Sequence, residues 1–221
     1  MKINWLKYIA SYFYLVTIKK IPSAINPGLC LQMEAGKLLL NTTNANYSYG
    51  NLHTVFEDVF EIIEIEKNPP TNLLILGLGA GSVIDIIQRQ YGFDPKITAI
   101  EIDKAIIDVL PYWNNLNLNN TTIVCDDAFL AVERLTQSFD LIIVDLFMDL
   151  HVHPSIHKKE FILQLKSLLT GNGRILINYV TQTKIQKEQF AEFQLMLMEF
   201  FKDIKGYNVL GMNRVLELRA T

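Results

Sequence analysis

Two hydrophobic patterns divide the chain. From residue 68 onward, short apolar runs alternate with segments whose apolar residues recur at helical spacing. Runs that are apolar throughout are typical of strands covered by helices on both faces. The alternation predicts an α/β fold built on a doubly wound, mainly parallel, seven-stranded sheet. The predicted strands lie at 73–76, 97–100, 122–124, 141–144, 174–179, 207–210 and 214–218, and the predicted helices at 83–91, 106–110, 161–169 and 184–203.

Before residue 68 the pattern is that of a smaller, β-rich segment. Residues 51–66 carry apolar positions at helical spacing, and Asn68-Pro69-Pro70 stops that helix and starts an extended segment. We therefore predict an N-terminal β-rich segment plus helix over residues 1–67 and the α/β domain over residues 68–221. The strand-like runs lie at 14–18, 29–34 and 37–41, the last two joined by the turn signal Ala35-Gly36.

The composition narrows the classes of function. The net charge is -3 and the lysines and arginines form no basic stripe, which predicts no nucleic-acid partner. The apolar run at 9–18 is too short to cross a bilayer, so we predict no membrane span. Cys30 and Cys125 match no metal-ligand spacing, and the apolar residues before Cys125 predict that it is buried. Such cysteine usage fits a reducing cytoplasm.

The strongest candidate site is the glycine turn formed by Gly77, Gly79 and Gly81. It lies between the first strand of the α/β domain and the next helix, where such sheets bind ligands. Glycines permit a tight turn and let the backbone approach a ligand closely. The spacing is G-x-G-x-G, whereas a dinucleotide fingerprint would need its third glycine or alanine at Ser82. The turn therefore favours a nucleoside with an amino-acid tail over a pyrophosphate, although a tight turn with no ligand stays open.

Acidic residues follow the next three strands. Glu101 ends the second strand, where an acid accepts hydrogen bonds from ribose hydroxyls. Asp126 and Asp127 follow the third, where a carboxylate can accept from an adenine amine or can cap the helix that begins near Ala128. Asp145 ends the fourth strand, which in this topology lies beside the first, so we expect Asp145 next to the glycine turn. A carboxylate at that place costs free energy unless it has a partner or a function.

These residues together resemble the spermidine synthase-like branch of the class I methyltransferase fold. The resemblance covers about residues 14–180, and its motifs occur in the family's order and spacing. They are Asn-Tyr-Ser-Tyr-Gly at 46–50, Leu-Gly-Leu-Gly-Ala-Gly-Ser at 76–82, Ala-Ile-Glu-Ile-Asp at 99–103, Asp-Asp-Ala at 126–128 and Asp-Leu-Ile-Ile-Val-Asp at 140–145.

The resemblance implies a reaction and a role for each site residue. It implies a transferase that binds S-adenosylmethionine or decarboxylated S-adenosylmethionine and moves an aminopropyl or methyl group to a small acceptor such as an amine. Glu101 would bind the donor ribose and Asp127 the adenine. Asp145 would remove the proton from the attacking amine, and Tyr49 would line the acceptor site. Relatives with this arrangement also imply a homodimer.

The chain departs from the family pattern on the acceptor side. The family carries two aspartates three residues apart, the second followed by proline. Here Asp145 is followed by Asp149 at a spacing of four, with Leu146-Phe147-Met148 between them. On the donor side, Ala80 stands where the family has an acidic residue in its glycine loop, and in the synthases that acid is associated with the amino-acid-derived tail of the donor. Asp149 and Tyr47 remain candidate substrate-binding residues, and the transferred group stays open.

Two other functions remain as alternatives. One is a non-catalytic adenosyl-binding or scaffold protein on the same fold. The other is an NAD-linked dehydrogenase, against which the G-x-G-x-G spacing speaks. Outside the glycine turn, His151, His153 and His157 form an H-x-H-x3-H cluster. We expect no metal there, because no acidic or sulfur ligand completes the set at familiar spacing. A solvated loop and a pH-sensitive acceptor lid both stay open.

Overall fold

The computed structural model describes residues 4–42, 51–112, 116–148 and 151–219, without the side chains of residues 51–53, 112, 148 and 151. Its first part is a three-stranded antiparallel sheet in the order β1-β2-β3. β2 and β3 pair from Cys30 opposite Asn41 to Glu34 opposite Lys37, which confirms the predicted hairpin. A short helix that the sequence pattern did not predict precedes this sheet. The elements are α1 (Trp5–Ala10), β1 (Val16–Lys20), β2 (Cys30–Glu34) and β3 (Lys37–Asn41).

The rest of the described chain alternates helix and strand. The elements are α2 (Asn51–Ile62), β4 (Asn72–Leu76), α3 (Ser82–Asp85), β5 (Lys96–Glu101), α4 (Lys104–Val109), β6 (Thr121–Cys125), α5 (Ala128–Ala131), β7 (Phe139–Val144), β8 (Phe147–Met148), β9 (His151–Val152), α6 (Lys159–Ser167), β10 (Leu169–Val180), α7 (Lys184–Leu197), β11 (Asp203–Val209) and β12 (Asn213–Arg219). A π-helical stretch at Ile86–Gln90 continues α3, and 3-10 turns lie at Ile65–Lys67, Leu110–Tyr112, Val132–Arg134 and Pro154–His157.

Seven strands form the main sheet, in the order β11-β12-β10-β7-β4-β5-β6. β12 is antiparallel to both of its neighbours, and the pairs β10–β7, β7–β4, β4–β5 and β5–β6 are parallel. This confirms the predicted doubly wound, mainly parallel sheet. The chain order reverses at β4, which has β7 on one side and β5 on the other. A ligand crevice is therefore expected at the carboxyl end of β4.

Helices cover both faces of this sheet, which explains why its strands are apolar throughout. Leu73 and Ile75 of β4 pack in one buried cluster with Phe56 and Phe60 of α2. The alternate residues of β4 pack in a second cluster with α6 and α7. α7 packs against the sheet through Phe193 and Leu197, which are buried.

The differences from the sequence prediction include two element boundaries and the burial of one cysteine. α7 ends at Leu197 rather than at 203, because Asp203 already pairs with Arg219 as the first residue of β11. The predicted turn at 171–173 lies inside β10, where the register with β7 shifts between Leu169 and Arg174. Cys125 is exposed, so its predicted burial was wrong. Cys125 lies on β6, which is an edge strand of the sheet and is only partly covered.

The N-terminal sheet packs against the beginning of the α/β unit. Its apolar face forms a buried cluster with Ala80, Ile106 and Val109, which belong to the glycine turn and to α4. α1 contributes no buried residue. Around it lies an exposed apolar surface, which we call the α1 face: Trp5, Leu6, Tyr8, Ile9, Tyr12, Phe13, Tyr14 and Leu15. The boundary at residues 67 and 68 stays a prediction. None of the described helices is long and apolar enough to cross a membrane.

Candidate functional site

The glycine turn requires glycine for reasons visible in the backbone. Gly77, Gly79 and Gly81 have φ angles of 88°, 52° and 80°, in the left-handed region that other residues adopt at a cost. At Gly77 there is also no room for a side chain. A Cβ atom there would lie 2.3 Å from the backbone oxygen of Asp145. Glycine at position 77 thus lets the ends of β4 and β7 approach each other more closely than any other residue would allow.

Backbone hydrogen bonds hold together the carboxyl ends of four neighbouring strands, β7, β4, β5 and β6. Because these bonds continue the sheet beyond the last paired residues, the predicted acids and the glycine turn are brought together on a rigid frame. The bonds run from the Asp145 amide to the Leu76 carbonyl (2.9 Å), from the Gly77 amide to the Ile100 carbonyl (3.0 Å) and from the Asp126 amide to the Glu101 carbonyl (3.1 Å).

Glu101 is buried at the end of β5 and contacts the glycine turn directly. Its Oε2 accepts a hydrogen bond from the Gly79 amide at 2.9 Å, and its Oε1 accepts one from the Asp103 amide at 2.9 Å. Burial raises the pKa of Glu101, and the backbone hydrogen bonds partly offset that increase. A carboxylate can accept about four hydrogen bonds, so each oxygen keeps acceptor capacity for a ligand hydroxyl.

Asp126 and Asp127 both take part in the turn that begins α5. Asp127 Oδ1 accepts a hydrogen bond from the Phe129 amide at 2.8 Å, which is the predicted cap. Asp126 Oδ1 accepts one from the Asp127 amide at 2.8 Å, and its Oδ2 is paired with Arg134. No described residue donates to Asp127 Oδ2. Of the two, Asp127 therefore has the carboxylate oxygen that a ligand can reach.

Asp145 lies directly after β7, beside the glycine turn, as the topology predicts. Its Oδ1 accepts a hydrogen bond from Asn178 Nδ2 at 2.9 Å. Burial raises the pKa of Asp145 to about 6. The Asn178 hydrogen bond lowers this pKa, and the nearby charge of Glu101 raises it. A carboxyl group with such a pKa is mostly ionised at neutral pH, yet it is a stronger base than an ordinary aspartate.

Asp103 joins this site to the N-terminal sheet. Its Oδ1 caps α4 by accepting from the Ala105 amide at 2.9 Å. Its Oδ2 accepts from Ser23 Oγ and from Asn26 Nδ2, each at 2.6 Å. Since the Asp103 amide also holds Glu101, the N-terminal segment and the proposed ribose ligand share one hydrogen-bonded network.

Sequence reasoning missed Asn178 and its partner Asn213. Both are buried, and Asn213 Nδ2 donates to Asn178 Oδ1 at 3.0 Å. Asn178 interrupts the apolar run of β10. That polar residue within a buried strand is the signal that could have identified it, because a buried amide requires a hydrogen-bond partner.

Three predicted acceptor-side residues, Tyr47, Tyr49 and Asp149, lie outside the described residues. The described neighbour of Asp145 on that side is Leu146, which packs against a buried cluster. Ala80, at the family's acidic position, is only 2% exposed and packs among apolar side chains.

His153 and His157 make contacts within the fold. His153 Nδ1 accepts from the Ser155 amide at 3.2 Å, and its ring lies 4.7 Å from that of Phe129. His157 Nε2 is 3.0 Å from the Tyr179 hydroxyl, and burial lowers the pKa of His157. The side chain of His151 is not described. In the described ranges, no group of three or more histidine, cysteine or acidic side chains could hold a metal ion. The acceptor-lid hypothesis stays a prediction.

Comparison with known proteins places this site in a family. The family described as "Spermine/spermidine synthase domain" matches residues 52–211. The polyamine aminopropyltransferase of Vibrio vulnificus is 27% identical over 139 residues, which cover 61% of this chain and 46% of that protein. The chain thus spans about half the length of the curated relatives it matches.

Solved structures agree on the fold. A probable spermidine synthase from Corynebacterium glutamicum superposes with a TM-score of 0.69 at 17% identity, over 93% of this chain and 80% of that one. A spermidine synthase in complex with the transition state analogue AdoDATO superposes with a TM-score of 0.71 at 14% identity, over 93% of this chain and 75% of that one. The matched family covers most of the chain, including the glycine turn, Glu101 and Asp145, and the chain therefore belongs to the spermine/spermidine synthase family.

Proposed function

We propose that this chain transfers an aminopropyl group from decarboxylated S-adenosylmethionine to a small amine. The observation that carries the proposal is Asp145, a carboxylate held beside the glycine turn with its pKa raised to about 6. A general base in this range is ionised at neutral pH and can accept a proton from an attacking amine. The name of the curated relative, polyamine aminopropyltransferase, supports the same reaction class.

The donor would lie across the glycine turn, along the carboxyl ends of β4, β5 and β6. Glu101 would accept hydrogen bonds from the ribose hydroxyls with its remaining lone pairs. Asp127 would accept from the adenine amine through Oδ2 while Oδ1 caps α5. Asp126, paired with Arg134, would hold this turn in place. Gly77, Gly79 and Gly81 would let the backbone contact the donor without side-chain interference.

The chemistry requires orientation and one proton transfer. The amine nitrogen attacks the propyl carbon bonded to the donor sulfonium and forms a C–N bond. The C–S bond breaks, and its electron pair stays on sulfur, so that the neutral thioether methylthioadenosine leaves. The proton lost by the nitrogen passes to Asp145 Oδ2, the oxygen to which no described residue donates. Holding the two substrates in line supplies the rest of the acceleration.

On the acceptor side, Tyr49, Tyr47 and Asp149 are proposed to line the amine. Leu146 makes apolar contacts, and Met148 stands at the position of the family's second aspartate, so the acceptor side has fewer acids at the family positions. Each lost carboxylate weakens the attraction for a further positive charge. We therefore propose an acceptor with one reacting amine and an apolar remainder rather than a compact diamine.

One observation favours a second candidate, methyl transfer from S-adenosylmethionine itself. An acid in the glycine turn would repel the carboxylate of that donor, whereas Ala80 carries no charge. The reaction products separate the two candidates, because aminopropyl transfer releases methylthioadenosine and methyl transfer releases S-adenosylhomocysteine.

Mass spectrometry of these products tests the proposal. The protein is incubated with either donor and a panel of monoamines and diamines, and methylthioadenosine is expected with the decarboxylated donor. Asp145→Asn should lower turnover at least about 100-fold, because the base is lost, and leave the donor dissociation constant within about twofold. Asp108→Asn, at an exposed site on α4, is the matched control. Failure to detect either product with any pair of donor and acceptor would refute this function. An Asp145→Asn variant with wild-type turnover would also refute it.

A homodimer formed through the α1 face is part of the proposal. Eight large apolar or aromatic side chains are exposed within residues 5–15, and such a concentration of exposed apolar side chains typically marks an interaction site. Light scattering should give twice the chain mass of 25.3 kDa, and Phe13→Ser together with Trp5→Ser should give the mass of one chain. A single-chain mass for the wild type would exclude the dimer. The cytoplasm, predicted from cysteine usage, remains the proposed compartment.

A further inference from the structure

Three polar side chains form a line across neighbouring strands behind the glycine turn. Asn213 of β12 donates from Nδ2 to Asn178 Oδ1 of β10 at 3.0 Å. Asn178 donates from Nδ2 to Asp145 Oδ1, after β7, at 2.9 Å. The exposed fractions of Asn178 and Asn213 are 1% and 3%. Because β12, β10 and β7 are adjacent in the sheet, the line runs from its antiparallel edge region to the candidate base.

The direction of these hydrogen bonds follows from chemistry. An ionised carboxylate only accepts hydrogen bonds, so Asn178 must present its Nδ2 amide group to Asp145. The Asn178 oxygen then faces Asn213, which must present its own Nδ2 group. Reversal of either amide would place two acceptors together and leave a buried donor unpaired. Asn213 therefore determines the orientation of Asn178, although it does not contact Asp145.

Apolar residues at positions 178 and 213 would be buried at a lower cost in free energy than two amides. β10 is otherwise apolar from Ile175 to Val180 except for Asn178, and burying an amide stabilises a fold only when its hydrogen bonds are complete. Here the amide of Asn178 is complete only because Asn213 and Asp145 flank it. Two buried amides that end in a hydrogen bond to one carboxylate oxygen are better explained by control of that carboxylate than by strand packing.

We propose that Asn178 is a positioning residue for the base Asp145 and that Asn213 fixes the direction of its amide. This inference rests on the proposed function of Asp145. The donated hydrogen bond holds Oδ1 and leaves Oδ2 directed to the amine. The same hydrogen bond stabilises the ionised carboxylate of Asp145. It opposes burial and the charge of Glu101, the described charged group that acts on Asp145, both of which favour the protonated form.

The test measures the titration of Asp145 directly, by carbon-13 NMR of labelled aspartate carboxyl groups. Asn178→Leu removes the donor at nearly constant size, and the Asp145 pKa should rise by about one unit, because a hydrogen bond to the charged form is lost. Asn213→Leu should raise it by a smaller amount, because Asn178 loses its orientation. Thr98→Val, which removes the partly buried hydrogen bond from Gln137 Nε2 to Thr98 Oγ1 at 2.6 Å, is the control and should leave the Asp145 pKa unchanged.

Enzyme kinetics supply a second measurement. The acidic limb of the kcat/KM profile against pH should move upward with the Asp145 pKa in both asparagine variants, while the donor dissociation constant stays within about twofold. Asn178→Thr replaces Asn178→Leu if the latter does not fold, and Asn213→Leu provides the independent case. An Asp145 pKa unchanged in the asparagine variants overturns the positioning role. Absence of turnover in the wild type overturns the proposed function instead, and the NMR titration still decides the positioning role.

Discussion

At the scale of single residues, Asp145 and Glu101 are two carboxyl groups whose pKa values are both raised by burial. Each is a cost to the fold that a ligand can offset. Carboxyl groups whose pKa is raised by burial, held together where the strand order reverses, are more typical of functional sites than of packing.

The raised pKa of Asp145 predicts a pH-dependent loss of stability. The folded state binds this proton more tightly than the unfolded state, whose aspartate has the ordinary pKa near 3.8. On account of Asp145, the free energy of unfolding therefore falls as pH rises from about 4 to about 6 and is constant above that. Asp145→Asn removes this penalty. A shift in pKa from 3.8 to about 6, at about 1.4 kcal/mol per unit, makes the variant more stable than the wild type by about 3 kcal/mol at pH 8 and equally stable near pH 4.

Urea denaturation at several pH values measures these stabilities. Asp140 provides the control, because its pKa is shifted in the opposite direction. Its burial would raise the pKa, but hydrogen bonds from the side chain and amide of Thr71, from the Asn72 amide and from the Thr170 hydroxyl outweigh burial and lower it. Its stabilising effect is present above the unfolded pKa and lost as pH falls through the folded one. Asp140→Asn should therefore be less stable than the wild type at pH 8. An Asp145→Asn variant that loses stability at pH 8 as well would contradict the raised pKa.

At the scale of elements, the site depends on how closely β7 approaches β4. The carboxylate of Asp145 reaches the glycine turn because its own backbone lies against Gly77, and the amide-to-carbonyl bond to Leu76 holds it there. Local chemistry in the sequence predicts part of this geometry, because the cap at Asp127 follows from its position before a helix. The topology also predicts Asp145 beside the glycine turn, but it does not predict how closely the Asp145 backbone approaches Gly77, because no local pattern sets a distance between residues far apart in the chain.

Gly77→Ala should therefore damage both stability and the site. The added methyl group meets a backbone carbonyl that cannot move without breaking the sheet, in addition to the strain of a φ of 88°. We expect a loss of about 3 kcal/mol or more in the free energy of unfolding. Gly92→Ala is the matched control, since its φ is 69° but no atom lies within 4 Å of the added methyl group. Its loss should be about 1 kcal/mol, from backbone strain alone. Equal losses in the two variants would show that the contact with Asp145 has no effect.

At the scale of the whole molecule, the parallel sheet and its order around β4 could be predicted because apolar runs and helical spacing alternate without interruption. The acids at the strand ends followed from that topology. The line from Asn213 to Asp145 could not be predicted, since no spacing relates a C-terminal strand to a base 68 residues earlier. The exposure of Cys125 was missed because an edge strand and a central strand carry similar local sequence. Residues such as Tyr49 stay at the level of the family resemblance.

Calorimetry with methylthioadenosine, the expected product, tests most directly whether the glycine turn and Glu101 bind an adenosyl group. This binding measurement requires no acceptor and no turnover. The wild type should bind methylthioadenosine and should not bind NAD. Glu101→Gln should weaken binding at least about tenfold, because one acceptor oxygen becomes a donor facing a backbone amide. Absence of methylthioadenosine binding to the wild type, or equal affinity of wild type and Glu101→Gln, would contradict the proposed donor site.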